Sequence, residues 1–351
     1  MENQGMLKGE GVFLQNIHYF RGLAIVALVA THTLQNFTST EESTLFHWMR
    51  AVFAEASIWF TFIAGFLFQH LSENYRTSRY LKSKANNVIL PYLIISIPAF
   101  WYLLIWAPAE IPVPFQDYAP SQQILLMLMT GSHMAQLWFI PMIALIYVLA
   151  PLLIWADRKG VLYTAMPLLL LFSLLTGREA IQNFTGWGLF ASPLSKAAYL
   201  LAAYIFGMFC SRYYEKCRAL TIKYWPLLLA STLIAFICHT QFGNDGLIHW
   251  LLLWKLLATP ALLYALEFVP KTVGRVLAAL GDYSFGIFFI HGYVLTVPRL
   301  LGNDSLSGSI FTITDAGLWT LFLAIVLAAC SAFLWVVRKS FKRHSRKLVG
   351  C

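Results

Sequence analysis

HYFRGLAIVALVATHTL, residues 18–34, decides how the rest of the chain is read. Beyond Tyr19 its two ionisable side chains are Arg21 and His32, set in an otherwise apolar run. About 20 mostly apolar residues suffice to cross the hydrocarbon core of a bilayer, so a transmembrane helix is expected over 19–37. Arg21 and His32 interrupt the run and no cleavage-site pattern follows, so the segment reads as an anchor and not as a signal peptide. The two charges are eleven residues apart. At about 100° per residue that is three turns plus roughly 20°, which puts them on one helix face, about 16 Å apart along the axis.

Working outward, nine further apolar runs have the same character. They place helices over 46–70, 88–107, 136–156, 161–176, 194–211, 224–240, 247–267, 276–298 and 315–337. The stretch 121–131 is too short to span and reads as an interfacial or re-entrant helix. Of 351 residues, 59% are hydrophobic and 12% are charged, where a soluble domain carries about 25% charged residues. The surface must therefore face something besides water. The 27 Phe, 16 Tyr and 12 Trp agree, because Trp and Tyr favour bilayer interfaces. The expected fold is an all-α polytopic membrane protein of about ten helices. It forms a single domain over 1–351, with both termini cytoplasmic and a basic tail over 338–351.

Charge placement follows that map. Lys8, Arg21, Arg76, Arg79, Lys82, Lys84, Arg158, Lys159, Arg212, Lys216, Arg218, Lys223, Lys271 and Arg275 fall on one side. The tail residues Arg338, Lys339, Lys342, Arg343, Arg346 and Lys347 join them, which makes 20 of the 25 basic residues. This is the positive-inside asymmetry. The opposite loops carry Glu41, Glu42, Glu110, Asp117, Asp245 and Asp304. The net charge of +9 thus reflects topology, and no nucleic-acid motif accompanies it. The five cysteines show no CxxC spacing, so neither a disulfide framework nor a metal site is indicated. Asn36, Asn183 and Asn303 begin N-x-S/T triplets, which are common by chance.

Ionisable groups at membrane depth are costly and usually mark a functional or paired position. Beside Arg21 and His32, Glu55 lies within the second span, where it could orient His32 or pair with Arg50 or another helix. His291 lies in the ninth span. Lys255 lies in the eighth and needs a carboxylate, a carbonyl or water. His133 and Trp138 flank the fourth span, and Trp138 suits an interface anchor as well as a substrate platform. Arg178 and Glu179 open the long loop 177–196. HExxH, GxSxG, Walker and dinucleotide-binding motifs are missing from the sequence. A deep His can act as general base on a hydroxyl, and an Arg at the surface can hold a phosphate through forked, charge-assisted bonds.

Four blocks make the chain recognisable. They are Arg21-Gly22 with His32 eleven residues on, Phe60–Phe66 (FTFIAGF), Leu137–Pro151 (LWFIPMIALIYVLAP) and Tyr283–His291 (YSFGIFFIH). In this order, spread from the first span to the ninth, they resemble the membrane-bound acyltransferase family 3, the O-acyltransferases of cell-surface glycans. Ala64 stands where the family usually has Ser. Asn87 stands four residues before Pro91, where the family commonly has Arg. The resemblance implies transfer of an acyl group, usually acetyl, from cytoplasmic acyl-CoA to a hydroxyl of a cell-surface or periplasmic glycan or glycolipid. The setting it implies is a bacterial plasma or inner membrane. It needs no tightly bound cofactor and no metal, with acyl-CoA as co-substrate and the lipid bilayer as partner. It implies His32 as general base with Glu55 orienting it, and Arg21, Lys82 and Lys84 on the CoA phosphates. Ser284, His291, Trp138 and Arg178 are expected to bind or support the substrate. Two competing readings are a transporter or flippase of a lipid-linked sugar or polysaccharide, and an inactive scaffold of a glycan-synthesis complex. Paired broken helices in two inverted halves, which would favour a transporter, are not evident.

Overall fold

The computed structural model describes residues 2–34, 37–38, 44–243, 247–301, 311–312 and 316–351. Asn36, Glu41, Glu42, Asp245, Asn303 and Asp304, and the side chains of Lys8 and Arg343, lie outside the described residues. The helices are α1 (Glu2–Leu34), α2 (Thr44–Phe53), α3 (Ser57–His70), α4 (Thr77–Lys84), α5 (Leu90–Ile105), α6 (Pro120–Thr130), α7 (Phe139–Val148) and α8 (Ala150–Arg158). They continue as α9 (Leu162–Thr176), α10 (Ala180–Thr185), α11 (Ser192–Arg212), α12 (Tyr214–Phe242), α13 (Trp250–Ala265), α14 (Lys271–Leu301), α15 (Ala316–Phe341) and α16 (Ser345–Val349). A two-residue parallel pair, Phe37–Thr38 with Phe311–Thr312, joins the segments that follow α1 and α14.

The protein is a multi-pass membrane protein. Among the described residues, eight helices are long and apolar enough to cross a bilayer, or nine if α7 and α8, bent by 46°, form one span. The expected fifth span is α9, whose 15 residues reach only about 22 Å, short of the roughly 30 Å core. The first helix stops at Leu34, three residues before the expected end. The seventh lies within α12, which kinks at Tyr224, so the part after the kink starts where the expected span does. Residues 121–131 do form a short helix, α6.

Helix α1 is the hub, packed by α14, α15, α3 and α2. Its apolar window is 61% buried, against 11% for α12, so α12 presents its side chains outward and α1 does not. Small residues allow the closest crossings. A Cβ on Gly22 would meet the Leu277 carbonyl at 2.1 Å, and one on Gly65 would meet the Tyr204 carbonyl at 1.9 Å.

The second span is interrupted where the site lies. Residues Ala54–Ala56 break the helix, and Glu55 takes φ +47°, a left-handed conformation costly for a residue with a side chain. A break at membrane depth frees backbone carbonyls that must find other donors. Lys255 Nζ donates to Val52 O (3.0 Å) and Thr31 Oγ1 to Phe53 O (2.6 Å). Lys255 also lies over the rings of Trp59 (3.8 Å) and Trp254 (4.6 Å). A carbonyl and two aromatic faces thus answer the need that the sequence poses for this buried cation.

Candidate functional site

Gly22 lets α1 and α14 approach, and two pairs of side chains meet along their contact. Arg21 Nη2 donates to Ser284 Oγ (3.0 Å), and Ser284 Oγ donates to the Gly281 carbonyl (2.8 Å). Further along both helices the His32 and His291 rings lie 5.2 Å apart. The pairs come in the same order on both helices, so α1 and α14 run parallel. His291 is fully buried. Its Nδ1 lies 2.9 Å from Ile287 O, which makes Nδ1 the protonated nitrogen and leaves Nε2 a buried acceptor with no partner among the described residues.

Three cavities adjoin along this line. A large one, about 1010 Å³, is lined by Arg21, Lys84, Asn87, Ser284 and tail residues including Arg338 and Arg346. A second, about 300 Å³, holds His32, Glu55, Trp138 and Arg178. A third, about 500 Å³, runs between α5 and α14 past His133 and His291. Phe60, Phe139 and Phe285 line both the large cavity and the chamber, so they form the partition between them. His32 and Gln136 line both the chamber and the third cavity, so His32 stands at a junction. One face of α1 therefore presents Arg21 to the first space and His32 to the other two.

The chamber wall is charged. Arg178 Nη1 donates to Glu55 Oε1 (2.7 Å) and Tyr199 OH to Glu55 Oε2 (3.4 Å). The partner of Glu55 is thus Arg178, whereas Arg50 lies against Phe46. Trp138 takes two cations on its ring, Arg178 at 5.2 Å and Lys196 at 4.6 Å. It lines the chamber. In the large cavity, Lys84 lies over Tyr147 (4.5 Å) and Tyr80 (5.2 Å). Lys82 is exposed on α4 and does not line that cavity. His133 is structural in character: Nε2 lies 2.7 Å from Ser96 Oγ, and the ring packs on Phe100. Burial pushes its pKa down to about 4, so it is neutral at physiological pH.

Sequence reasoning missed Lys196, Tyr199 and Gln136. Lys196 carried a signal, a lone cation within an apolar helix, of the kind that singled out Lys255. Among the described residues, no group of three or more His, Cys, Asp or Glu could hold a metal ion. The family model described as an acyltransferase domain, that of the membrane-bound acyltransferase family 3, matches residues 14–337. No curated protein and no solved structure matches the chain.

Proposed function

The chain belongs to the membrane-bound acyltransferase family 3, and from that premise we propose that it transfers an acyl group from cytoplasmic acyl-CoA to a hydroxyl of a surface or periplasmic glycan. Acetyl is the acyl group we assign first. One observation carries the reading: Arg21 and His32 sit on one face of α1 and line two spaces that share a wall of three phenylalanines. Arg21 and Lys84 would hold CoA phosphates, with Ser284 fixing the guanidinium through the 3.0 Å bond. The pantetheine arm would pass Phe60, Phe139 and Phe285 to bring the thioester near His32. The acceptor hydroxyl attacks the thioester carbonyl and its proton passes to His32. The carbon–sulfur bond then breaks, and the leaving CoA thiolate takes that proton. Arg178, Trp138 and Lys196 offer the acceptor sugar a polar and aromatic wall. Glu55 sets the charge of that wall through Arg178, and His291 backs the His32 ring.

The topology supports a path that crosses the bilayer. Because α1 and α14 run parallel, an odd number of crossings lies between them. The spans α2–α3, α4–α5, α11, α12 and α13 give five. If the bent pair α7–α8 crosses, α9 must cross as well, which gives ten spans and puts both termini on one side. The excess of Lys and Arg makes that side cytoplasmic.

The test uses membrane vesicles that expose the basic face, supplied with acyl-labelled acetyl-CoA. Label in the glycan on the opposite face is the expected result. Movement of the glycan with no acyl transfer would instead identify a carrier.

A further inference from the structure

The family match ends at residue 337, and the chain beyond it returns to the donor cavity. Helix α15 ends at Phe341, the backbone reverses through Lys342 (φ +48°), and α16 follows. The return is anchored. Ser345 and Val349 are buried, and the Ser345 hydroxyl donates to the Lys342 carbonyl (2.8 Å). Gly350 has φ +79°, and a Cβ there would meet the Phe285 ring at 2.8 Å. The tail thus rests on the partition between cavity and chamber. Helix α16 also packs on α5 and on the π-helical turn Ala85–Ile89 that precedes it.

That turn has a local cause. Pro91 lacks the N–H that would bond the Asn87 carbonyl, and the turn widens so that Leu90 N–H reaches Ala85 O, five residues back. Asn87 lines the cavity, but its amide nitrogen is turned back on Ser83, donating to Ser83 O (2.9 Å) and Oγ (3.2 Å). Its donor is spent locally. Arg346, from the helix packed against this turn, lines the same cavity.

We infer that Arg346 is a phosphate ligand of the acyl-CoA donor, so that the C-terminal segment completes the donor site. The inference rests on the acyl-CoA reading given above. Arg21, Lys84, Arg338, Lys342 and Arg346 line one cavity, and among the described residues Asp282 is the single acidic side chain on its wall. Arg346 is near enough to Arg21 and to Lys84 for their charges to act on one another. Among the described residues no carboxylate pairs with Arg346. Five gathered cations repel, and a polyanion in the cavity removes that repulsion. A guanidinium suits a phosphate because it donates two parallel bonds. Tyr75, Tyr80 and Tyr147 form the aromatic part of the same wall, with Lys84 lying over the last two. The chemical class of ligand is therefore a polyphosphate, and on the acyl-CoA reading it is CoA.

The test is binding of unacylated CoA to the purified full-length protein in lipid nanodiscs. Arg346→Ala is expected to weaken CoA about tenfold or more, with Arg346→Lys between the two. Lys347→Ala, beside it but off the cavity, should bind as wild type does. Acetyl-pantetheine, which carries none of the phosphates of CoA, should bind wild type and Arg346→Ala equally. In turnover the loss should appear in KM for acyl-CoA, with kcat kept. Wild type and Arg346→Ala binding CoA equally well would overturn the assignment and leave the acyl-CoA reading standing. Wild type that fails to bind CoA would overturn both.

Discussion

Gly22→Ala tests whether the meeting of α1 and α14 builds the site. In an isolated helix this substitution stabilises by about 1 kcal/mol, because alanine is the better helix former. Here the added Cβ would lie 2.1 Å from the Leu277 carbonyl, and ordinary contact begins near 3.4 Å. The obstacle is backbone on a neighbouring helix, which cannot swing aside as a side chain can. The two helices must separate locally by about 1.3 Å, the difference between those distances. Arg21, the adjacent residue, then loses its 3.0 Å bond to Ser284. Overpacking of this kind costs about 1–3 kcal/mol. A misplacement of about 1 Å can cost roughly 100-fold in rate. We expect a lower melting temperature in detergent and acyl transfer reduced about 100-fold at matched membrane abundance. A raised melting temperature with unchanged transfer would refute the close crossing and the Arg21 geometry that depends on it.

Lys255→Met removes the donor to Val52 O and a cation lying over two tryptophans. Thermal unfolding in detergent should show a loss of about 2–3 kcal/mol. Glu55→Gln and Arg178→Gln, singly and together, form a double-mutant cycle for the 2.7 Å pair. Acyl transfer should show non-additive losses with a coupling of about 1–3 kcal/mol, and additive losses would mean that the pair does not act as a unit. The depressed pKa of His133, about 4 folded against 6.5 for a free side chain, sets a pH window. Between those values the unfolded chain binds a proton that the folded chain refuses. Stability should therefore be full above pH 6.5 and decline as pH falls toward 4, by roughly 3 kcal/mol at most. His133→Asn should flatten that decline in thermal unfolding.

What could be read from the sequence was mostly what one segment states by itself. Apolar runs located the long helices, and the spacing of Arg21 and His32 put them on one face of α1. The blocks at Phe60, Phe139 and Phe285 lie far apart in the chain and meet at one partition. What could not be read depends on neighbours. Residues 46–70 look like one continuous span, because the break at Glu55 is held by Lys255 and Thr31 from other helices. Pairing of Glu55 with Arg178 spans 123 positions and has no local signature. The tail cations show only as a topology signal in sequence, since their return to the cavity depends on a reversal at Lys342 and a glycine at 350.

Acyl transfer by His32→Ala bears most directly on the central claim. Membranes holding equal amounts of wild type and variant are given labelled acetyl-CoA on the basic face, and the glycan on the other face is counted. Loss of general-base chemistry at this position predicts transfer lower by about 100- to 10,000-fold, with CoA binding kept. Transfer at the wild-type rate would contradict it.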